Sequence, residues 1–232
     1  MLNQKKQLNK KDKPAKLDFF VHPTATIEDN VTIGKGTKIW HFAQVRGGTV
    51  LGENCIIGNS VFVDEGSQIG NNCKIQNHAI IYHQALISDG VFIGPNVCFT
   101  NDKRPRAINP DGSIKSADDW EASTIKIGIG AAIGGHSTLT PGVTIGQWAM
   151  AGSGSVITKD VPDFALVFGN PAKIRGFVCK CGKKLEKILK NPPAGGEKNI
   201  IFACTCGEEV TIPREIYKKL DQNIVKKRIW IK

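Results

Sequence analysis

The sequence has no apolar run approaching the roughly 20 residues needed to cross a bilayer. Its N-terminal segment, MLNQKKQLNKKDKPAK, is basic but lacks the apolar stretch of a secretory signal. Neither a Walker-type loop nor a dinucleotide-binding glycine loop is present. These absences argue against export, membrane insertion, nucleotide hydrolysis and hydride transfer. We therefore expect a soluble, cytoplasmic protein without a transmembrane segment.

Aromatic residues are also scarce, at 7% of the chain, and the net charge of +10 is unevenly distributed. Residues 1–16 carry +5, residues 17–172 carry −4 and residues 173–232 carry +9. A nucleic-acid groove binder needs Lys and Arg on a folded face with aromatic side chains between them. Here the cations lie in a tail and a terminal segment, so nucleic acid is not an expected partner. A phosphate-rich cofactor or an anionic membrane surface would suit the C-terminal charge.

The most regular feature of the sequence is a six-residue repeat. From Val21 to Phe99 every sixth residue is apolar; the pattern stops at Thr100, resumes at Ile127 and runs to Ile157. A period of six fits neither an α-helix nor one alternating strand, but it suits the flat faces of a parallel β-helix with three faces per 18-residue coil. Stacked coils bury a continuous apolar core. The repeat therefore predicts an all-β parallel β-helix.

Residues 20–176 resemble the hexapeptide-repeat acyltransferases. The resemblance rests on the hexads that begin Ile-Gly, Leu-Gly or similar, on the interruption of the repeat, and on the closing run IGGHSTLTPGVTIGQWAMAGSGSVITKDVPDFALVFGNPAKIRG. This resemblance implies left-handed winding, a homotrimer and an acyl-CoA bound between subunits. The segments CKIQNHAIIY, GVFIGPNVCFTND, PRAINPDGS and VCKCG are similar to nucleotide-sugar N-acetyltransferases that modify a 3-amino sugar for surface polysaccharide such as lipopolysaccharide. We expect a β-helix domain over 17–176 with a loop at 100–126, a basic segment at 1–16 and a C-terminal module at 177–232.

Two histidines five residues apart, His78 and His83, could serve a metal, a general base or neither. A γ-class carbonic anhydrase binds zinc with this spacing, but there the first His lies two residues after an apolar anchor, where this chain has Asn77. Sugar O-acetyltransferases need a His base, which relatives hold just before the inserted loop, where this chain has Asn101. His83 therefore stays open as a base or a substrate contact, and His78 as a substrate-lining or corner residue.

Acyl transfer to an amine is less demanding, because a sugar amine is partly unprotonated near neutral pH. Positioning and oxyanion stabilisation can then suffice. The resemblance to 3-amino-sugar N-acetyltransferases implies that no histidine base is used. It also implies that an Asn in the Ile-Gln-Asn segment orients the nucleophile and that the departing CoA sulfur accepts the proton. The catalytic role accordingly falls first on Asn77 and second on His83.

The interruption at 100–126 and the closing motif supply the candidate binding residues. Arg104 and Arg106 could each hold two oxygens of a diphosphate or a sugar carboxylate, with Asn101 nearby, or they could be solvated loop charges. Glycines would let the pantetheine arm approach the backbone, and the family's closing motif offers cations for the CoA phosphates. The expected acetyl-CoA contacts are Gly134, Gly135, Gly152, Lys159, Lys173 and Arg175.

Two Cys-x-Cys-Gly units lie in the C-terminal module, with 22 residues between them. Four thiolates from Cys179, Cys181, Cys204 and Cys206 would suit a structural zinc ion, and two disulfides are the alternative. Residues 211–222 are expected to form a short amphipathic helix.

These patterns predict an acetyl-CoA-dependent N-acetyltransferase acting on the amino group of a nucleotide-linked amino sugar. A sugar O-acetyltransferase that uses a His base is one alternative. The other is a non-catalytic or metal-binding β-helix protein of the γ-carbonic-anhydrase kind.

Overall fold

Two-residue strands recur every six residues along most of the chain and build three flat faces. The computed structural model describes residues 18–116, 119, 123–191 and 198–220. Its first twenty strands form three parallel sheets, each built from every third strand. The predicted all-β parallel β-helix is therefore confirmed, whereas the left-handed winding stays a prediction. The predicted segment 1–16 lies outside the described residues.

The three sheets are called face A, face B and face C, and strands are numbered in chain order. Face A contains β1 (Phe20–Val21), β4 (Lys38–Ile39), β7 (Ile56–Ile57), β10 (Lys74–Ile75), β13 (Phe92–Ile93), β16 (Ala132–Ile133) and β19 (Met150–Ala151). Face B contains β2 (Thr26–Ile27), β5 (Gln44–Val45), β8 (Phe62–Val63), β11 (Ile80–Ile81), β14 (Cys98–Phe99), β17 (Thr138–Leu139) and β20 (Val156–Ile157). Face C contains β3 (Thr32–Ile33), β6 (Val50–Leu51), β9 (Gln68–Ile69), β12 (Leu86–Ile87), β15 (Lys126–Ile127) and β18 (Thr144–Ile145).

Each strand pairs in parallel with its equivalents in the coils before and after it. Within the regular part the partners lie 18 residues apart, as Ile75 and Ile93 do on face A. The interruption enters between β14 and β15 without disturbing this register, because Cys98 pairs with Thr138 across it. The inserted loop is thus confined to one corner of one coil, as the sequence predicts.

The second residue of each short strand points into the solenoid and forms its core. Ile57, Ile75 and Ile93 are fully buried, whereas Val21 in the first coil is only partly covered. A glycine commonly follows this apolar residue for a steric reason. A Cβ atom on Gly34 would lie 2.4 Å from the carbonyl carbon of the next coil's glycine. The Ile-Gly pairs of the sequence therefore report both burial and close contact between coils.

The end of the solenoid adds two strands to face A and then leads into the C-terminal module. Strand β21 (Ala165–Phe168) pairs in parallel with β19, and β22 (Lys173–Phe177) pairs antiparallel with β21. A separate antiparallel sheet contains β23 (Lys187–Lys190), β24 (Asn199–Ala203) and β25 (Glu209–Pro213). Its apolar residues join the solenoid in one buried cluster. The predicted domain boundary at residue 176 falls within β22, and the division into domains stays a prediction.

The predicted terminal helix is shorter than expected. Helix α1 covers only Arg214–Tyr217, while Thr211 belongs to β25. Val210 and Ile212 are buried on either side of the exposed Thr211, an alternation that suits a strand and overrides the helical pattern. The end of the predicted span, from residue 221 onward, lies outside the described residues. Within the described part, no helix is long and apolar enough to cross a membrane.

The inward and outward positions of one hexad should differ sharply in their contribution to stability. Replacing the fully buried Ile81 with Ala should lower the free energy of unfolding by about 2–5 kcal/mol, because a cavity would remain in the core. The matched change at the 37% exposed Leu86 on face C should cost about 0.5 kcal/mol or less. Urea unfolding of both variants measures the difference. Equal losses would contradict this assignment of the faces.

Candidate functional site

The sequence-predicted residues lie mainly along two edges of the solenoid. The A–B edge, between faces A and B, consists of residues 22–25, 40–43, 58–61, 76–79, 94–97, 134–137 and 152–155. The B–C edge, between faces B and C, begins each time after a face B strand, at residues 28, 46, 64, 82, 100, 140 and 158. The A–B edge carries Asn77, His78, Gly134, Gly135 and Gly152, and the B–C edge carries His83, Asn101 and Lys159.

Asn77 lies in a turn of the A–B edge and is exposed. Its Oδ1 accepts a hydrogen bond from the backbone N–H of Asn59, one coil earlier, at 2.9 Å. A Cβ atom on Gly58 would lie 2.6 Å from this Oδ1, so glycine is needed there. Asn77 therefore makes a structural hydrogen bond through its Oδ1 atom, and the side chain lies on an exposed edge of the solenoid.

Two histidines occupy turn positions with left-handed backbone on the same edge. His78 has a φ of 61° and His136 has a φ of 58°, and both are exposed. The Nε2 atom of His136 lies 3.4 Å from the Nδ2 atom of Asn96. His78 is thus a corner residue directly beside Asn77, a placement compatible with either of its predicted roles.

His83 lies on the B–C edge, within a charged cluster. Its Nδ1 atom is 3.8 Å from Oε1 of Glu65, and Glu65 is in turn 3.4 Å from Nη2 of Arg46. Arg46 also pairs with Asp64 at 3.0 Å and with Glu28 at 3.3 Å. Hydrogen bonds with Asp64 and Glu28 raise the pKa of Arg46. Three carboxylates thus surround one guanidinium next to His83.

His78 and His83 stand at the two ends of β11, on different edges of one chain. They therefore cannot bind the same ion within a single subunit. Among the residues that the structure describes, the C-terminal cysteines form the one group of three or more His, Cys, Asp or Glu side chains that could hold a metal ion.

The inserted loop folds into a hairpin beside the B–C edge. Ile108 and Ile114 form an antiparallel bridge, and their side chains are 54% and 84% exposed. The base of the loop surrounds an open basin of about 980 Å³. Its charged lining consists of Asp102, Lys103, Arg104, Arg106, Lys115 and Asp119. Cations outnumber carboxylates in this basin, which makes it attractive to an anion.

The expected acetyl-CoA residues fall into two groups. Gly152 lies against Phe168, since a Cβ atom on it would be 3.0 Å from the Cβ of that phenylalanine. The guanidinium of Arg175 lies 5.5 Å from the centre of the Phe168 ring, and Lys173 pairs with Phe168 across the β21–β22 hairpin. These residues therefore continue the A–B edge toward the C-terminus. Lys159, on the B–C edge, is separate from them within one chain.

The four cysteines of the C-terminal module converge. All four Sγ atoms lie within 4.8 Å of one another, with 3.6 Å between Cys179 and Cys206 and 3.6 Å between Cys181 and Cys204. Zn–S bonds of about 2.3 Å in a tetrahedron place sulfur atoms about 3.8 Å apart, so the set has the size of a zinc site. The N–H of Cys206 donates to Cys204, which lowers the pKa of Cys204 to about 7, while burial raises the pKa of Cys179 to about 12.

The two Cys-x-Cys-Gly units adopt the same turn. In each, the glycine N–H donates to the carbonyl of the first cysteine, at 2.8 Å for Gly182 and 3.1 Å for Gly207. Both glycines have positive φ, 84° and 97°, which a side chain would disfavour. The repeated turn explains why the four sulfur atoms face one another.

Sequence reasoning missed two features of these edges. One is the charged cluster around Arg46, whose members lie one coil apart and could have been found by aligning the 18-residue coils. The other is a group of aromatic rings at the start of the A–B edge, including Trp40 and Phe42. Trp40 occupies a position that is glycine in four other coils of the same edge.

The sequence matches known protein families and relatives over the solenoid. Residues 30–65 and 66–101 match the model of the bacterial transferase hexapeptide, and residues 124–159 match the hexapeptide repeat of succinyl-transferase. A dTDP-3-amino-3,6-dideoxy-alpha-D-galactopyranose 3-N-acetyltransferase of Aneurinibacillus thermoaerophilus is 42% identical over 169 residues, which are 73% of this chain and 83% of that protein.

Other similarities are more partial. The bifunctional protein GlmU of Nitratidesulfovibrio vulgaris is 33% identical over 138 residues, which are 60% of this chain but only 27% of that protein. A solved acetyltransferase domain of PglB from Neisseria gonorrhoeae has a TM-score of 0.44 and 24% identity, covering 68% of this chain and 58% of that one. The predicted family is confirmed by the match to the Aneurinibacillus enzyme: this chain belongs to the hexapeptide-repeat transferases.

Proposed function

We propose that this chain transfers the acetyl group of acetyl-CoA to the amino group of a nucleotide-linked amino sugar. The relative from Aneurinibacillus supports this proposal, because its name specifies N-acetylation at the 3-amino group of a dTDP-linked sugar. The aligned 169 residues cover most of that protein. The proposal therefore rests on similarity to nearly the whole of that enzyme and not to one shared segment.

The structural observation that carries the proposal is the position of Asn77 on the A–B edge. Gly134, Gly135 and Gly152 follow it along the same edge, toward the C-terminal cations. An acetyl-CoA lying over these glycines would bring its thioester near the Asn77 amide. The amine nitrogen would then bond to the thioester carbon, the C–S bond would break, and the amine proton would pass to the sulfur. Asn77 would orient the amine for this attack.

We also propose a homotrimer in which face B surrounds the threefold axis. The outward residues of its strands are uncharged, whereas face A presents Lys38 and Lys74 and face C presents Lys126. Phe62 and Ile80 on face B are already half-buried in one chain. Packing on face B would bring the A–B edge of each subunit beside the B–C edge of the next. Each active site would then combine residues from both edges.

In this proposed trimer, the remaining predicted residues would lie around one active site between two subunits. The site of one subunit would hold Asn77 and His78, and the neighbouring subunit would contribute His83, Asn101 and the loop cations. Arg104 and Arg106 would then meet the diphosphate of the nucleotide sugar, and Lys159 would join Lys173 and Arg175 at the CoA phosphates. The exposed Ile108 and Ile114 would be covered by the neighbouring subunit.

One observation favours a second candidate activity, sugar O-acetylation. His83 stands 3.8 Å from Glu65, which Arg46 holds in place, and a carboxylate behind an imidazole supports general-base catalysis. A hydroxyl acceptor would require such a base, whereas an amine would not. Substitution of His83 therefore separates the two activities.

Acetyl transfer is tested by chromatographic measurement of free CoA, with dTDP- and UDP-linked sugars that carry a 3-amino group, a 4-amino group or hydroxyl groups alone. We expect turnover with an amine. Asn77→Ala should lower kcat/KM by about 100-fold through misplacement of the nucleophile. The matched control is Asn71→Ala, because Asn71 makes the same contact, accepting from Glu53 N–H at 2.8 Å, on the edge between faces C and A. This control should keep its activity.

His83→Asn should change amine acetylation by less than about threefold, whereas loss of a general base typically costs about 100-fold or more. Turnover only with hydroxyl sugars, abolished in His83→Asn, would establish O-acetylation instead. Equal activity of the two asparagine variants would remove Asn77 from the mechanism. Absence of turnover with every sugar would contradict acetylation of these acceptors.

We further infer that Cys179, Cys181, Cys204 and Cys206 hold one structural Zn²⁺ per chain. Support comes from the sulfur distances, which match a tetrahedral site and are too long for disulfides of about 2.05 Å. Bound zinc would tie β23–β25 to the end of the solenoid, since the two turns lie at the start and middle of the module. Free thiols in this number suit a reducing, cytoplasmic location.

Metal analysis of the purified protein should find one zinc ion per chain. Cys206→Ser should lose it, because three thiolates remain, whereas Cys98→Ser on face B should retain it. Thiol titration after denaturation and metal removal should count all seven cysteines. A count of three would indicate two disulfides in the module and contradict the zinc site.

A further inference from the structure

An exposed aromatic cluster, which the acetyl transfer itself does not use, lies where the first strand of face A meets the start of the A–B edge. Phe20, Trp40 and Phe42 are 42%, 36% and 62% exposed. The rings of Phe20 and Trp40 lie 5.5 Å apart. Exposed rings grouped in this way mark a binding surface more often than chance.

Two histidines hold this cluster together. The rings of His22 and His41 stack with centroids 3.5 Å apart, and His41 lies nearly parallel to Trp40 at an interplanar angle of 7°. Desolvation lowers the pKa of His22, and the charge of His41 lowers it further. The His22 ring also contacts the Phe20 ring, with 6.4 Å between centroids, and the His41 ring contacts the Phe42 ring at the same distance. The three exposed rings are called the aromatic platform below.

The platform is aligned with Asn77 along the edge. Ser60 N–H donates to the carbonyl of His41, and His78 N–H donates to that of Asn59, so these turns stack one per coil. With about 4.8 Å between neighbouring strands, two coils place Trp40 and Phe42 about 10 Å from Asn77, and Phe20 lies one coil further away. A ribose and a diphosphate bridge such a span. The intervening turn, residues 58–61, contains the small residues Gly58 and Ser60 beside the exposed Asn59.

The direction of approach is also constrained. The glycines expected to contact the pantetheine arm lie on the C-terminal side of Asn77, and the platform lies on its N-terminal side. An acetyl donor and a nucleotide sugar that meet at Asn77 must enter from opposite ends of the edge. The nucleotide sugar would therefore lie along the N-terminal part of the A–B edge.

We propose that Phe20, Trp40 and Phe42 form the stacking surface for the base of the nucleotide sugar. This proposal rests on the proposed function, because it presumes a nucleotide-linked acceptor that reacts at Asn77. A planar base gains from contact with aromatic rings, and such stacking tolerates different bases because every base has a π-face. The platform would thus recognise the nucleotide as a class and fix the distance to the amino group.

The first test measures binding without catalysis. Isothermal titration of the full-length protein with dTDP should show binding that Phe42→Ala weakens by about tenfold or more. Phe42→Tyr should restore it. Phe92→Ala is the matched control, since Phe92 on face A is 40% exposed and lies outside the platform. Inorganic pyrophosphate should bind the wild type and Phe42→Ala equally.

The second test uses turnover with a shortened acceptor. Phe42→Ala should raise KM for the nucleotide sugar about tenfold but leave KM for acetyl-CoA unchanged. With the amino sugar 1-phosphate, which has no base, the wild type and the variant should perform alike. A wild type that binds dTDP but acetylates no amino sugar would contradict the proposed function but not the role of the platform in binding the base.

Other outcomes would overturn the platform alone. They include unchanged dTDP binding in Phe42→Ala, failure of the wild type to bind dTDP, UDP or GDP, and a weakened trimer in Phe42→Ala on light scattering. The last result would identify the rings as a contact between subunits.

Discussion

Hydrogen bonds between successive coils set the position of almost every functional group in this protein. Because backbone groups one coil apart bond to each other throughout the solenoid, each turn lies directly above the equivalent turn before it. A side chain therefore has fixed neighbours in its own column, and its place in the hexad decides which edge or face it occupies. Asn77 bonding to the N–H of Asn59 is one product of this constraint.

The same constraint explains why so much of the fold could be predicted from sequence. The apolar residue of each hexad must point inward, and the residue after it often must be glycine, so the pattern is readable without knowledge of distant contacts. The interruption at residue 100 was equally visible, since it breaks the pattern and leaves the register intact. The convergence of four cysteines was likewise predictable, from two matching Cys-x-Cys-Gly units.

Side-chain contacts between coils were less predictable. The contact of His83 with Glu65, and of Glu65 with Arg46, depends on how far flexible side chains reach across coils, which the hexad pattern does not encode. The aromatic platform was overlooked for a similar reason. Trp40 and Phe42 lie at turn positions, outside the apolar anchors that define the repeat, and only an alignment of the coils shows that Trp40 replaces a recurrent glycine. At Thr211, alternating burial in a short sheet prevailed over a helical pattern, a competition that local sequence does not settle.

The location of the predicted residues on two edges also changes the interpretation of the histidine pair. Strand β11 lies between His78 and His83, so the two histidines stand on either side of face B. Their spacing therefore reflects the width of a face and need not report a shared ligand. In an assembly around face B, residues far apart in one chain would become neighbours from two chains.

The reversal of the chain at β22 has a consequence for how these molecules behave in solution. A parallel solenoid ends in an unpaired row of backbone donors and acceptors, which invites another solenoid to add itself end to end. On face A this row is already paired, because β22 runs antiparallel along β21. Lys173 and Arg175 lie on the covering strand, and positive charge at a sheet margin repels a second copy. A second solenoid added to this end of face A would therefore have to pair with a short antiparallel strand that carries both cations.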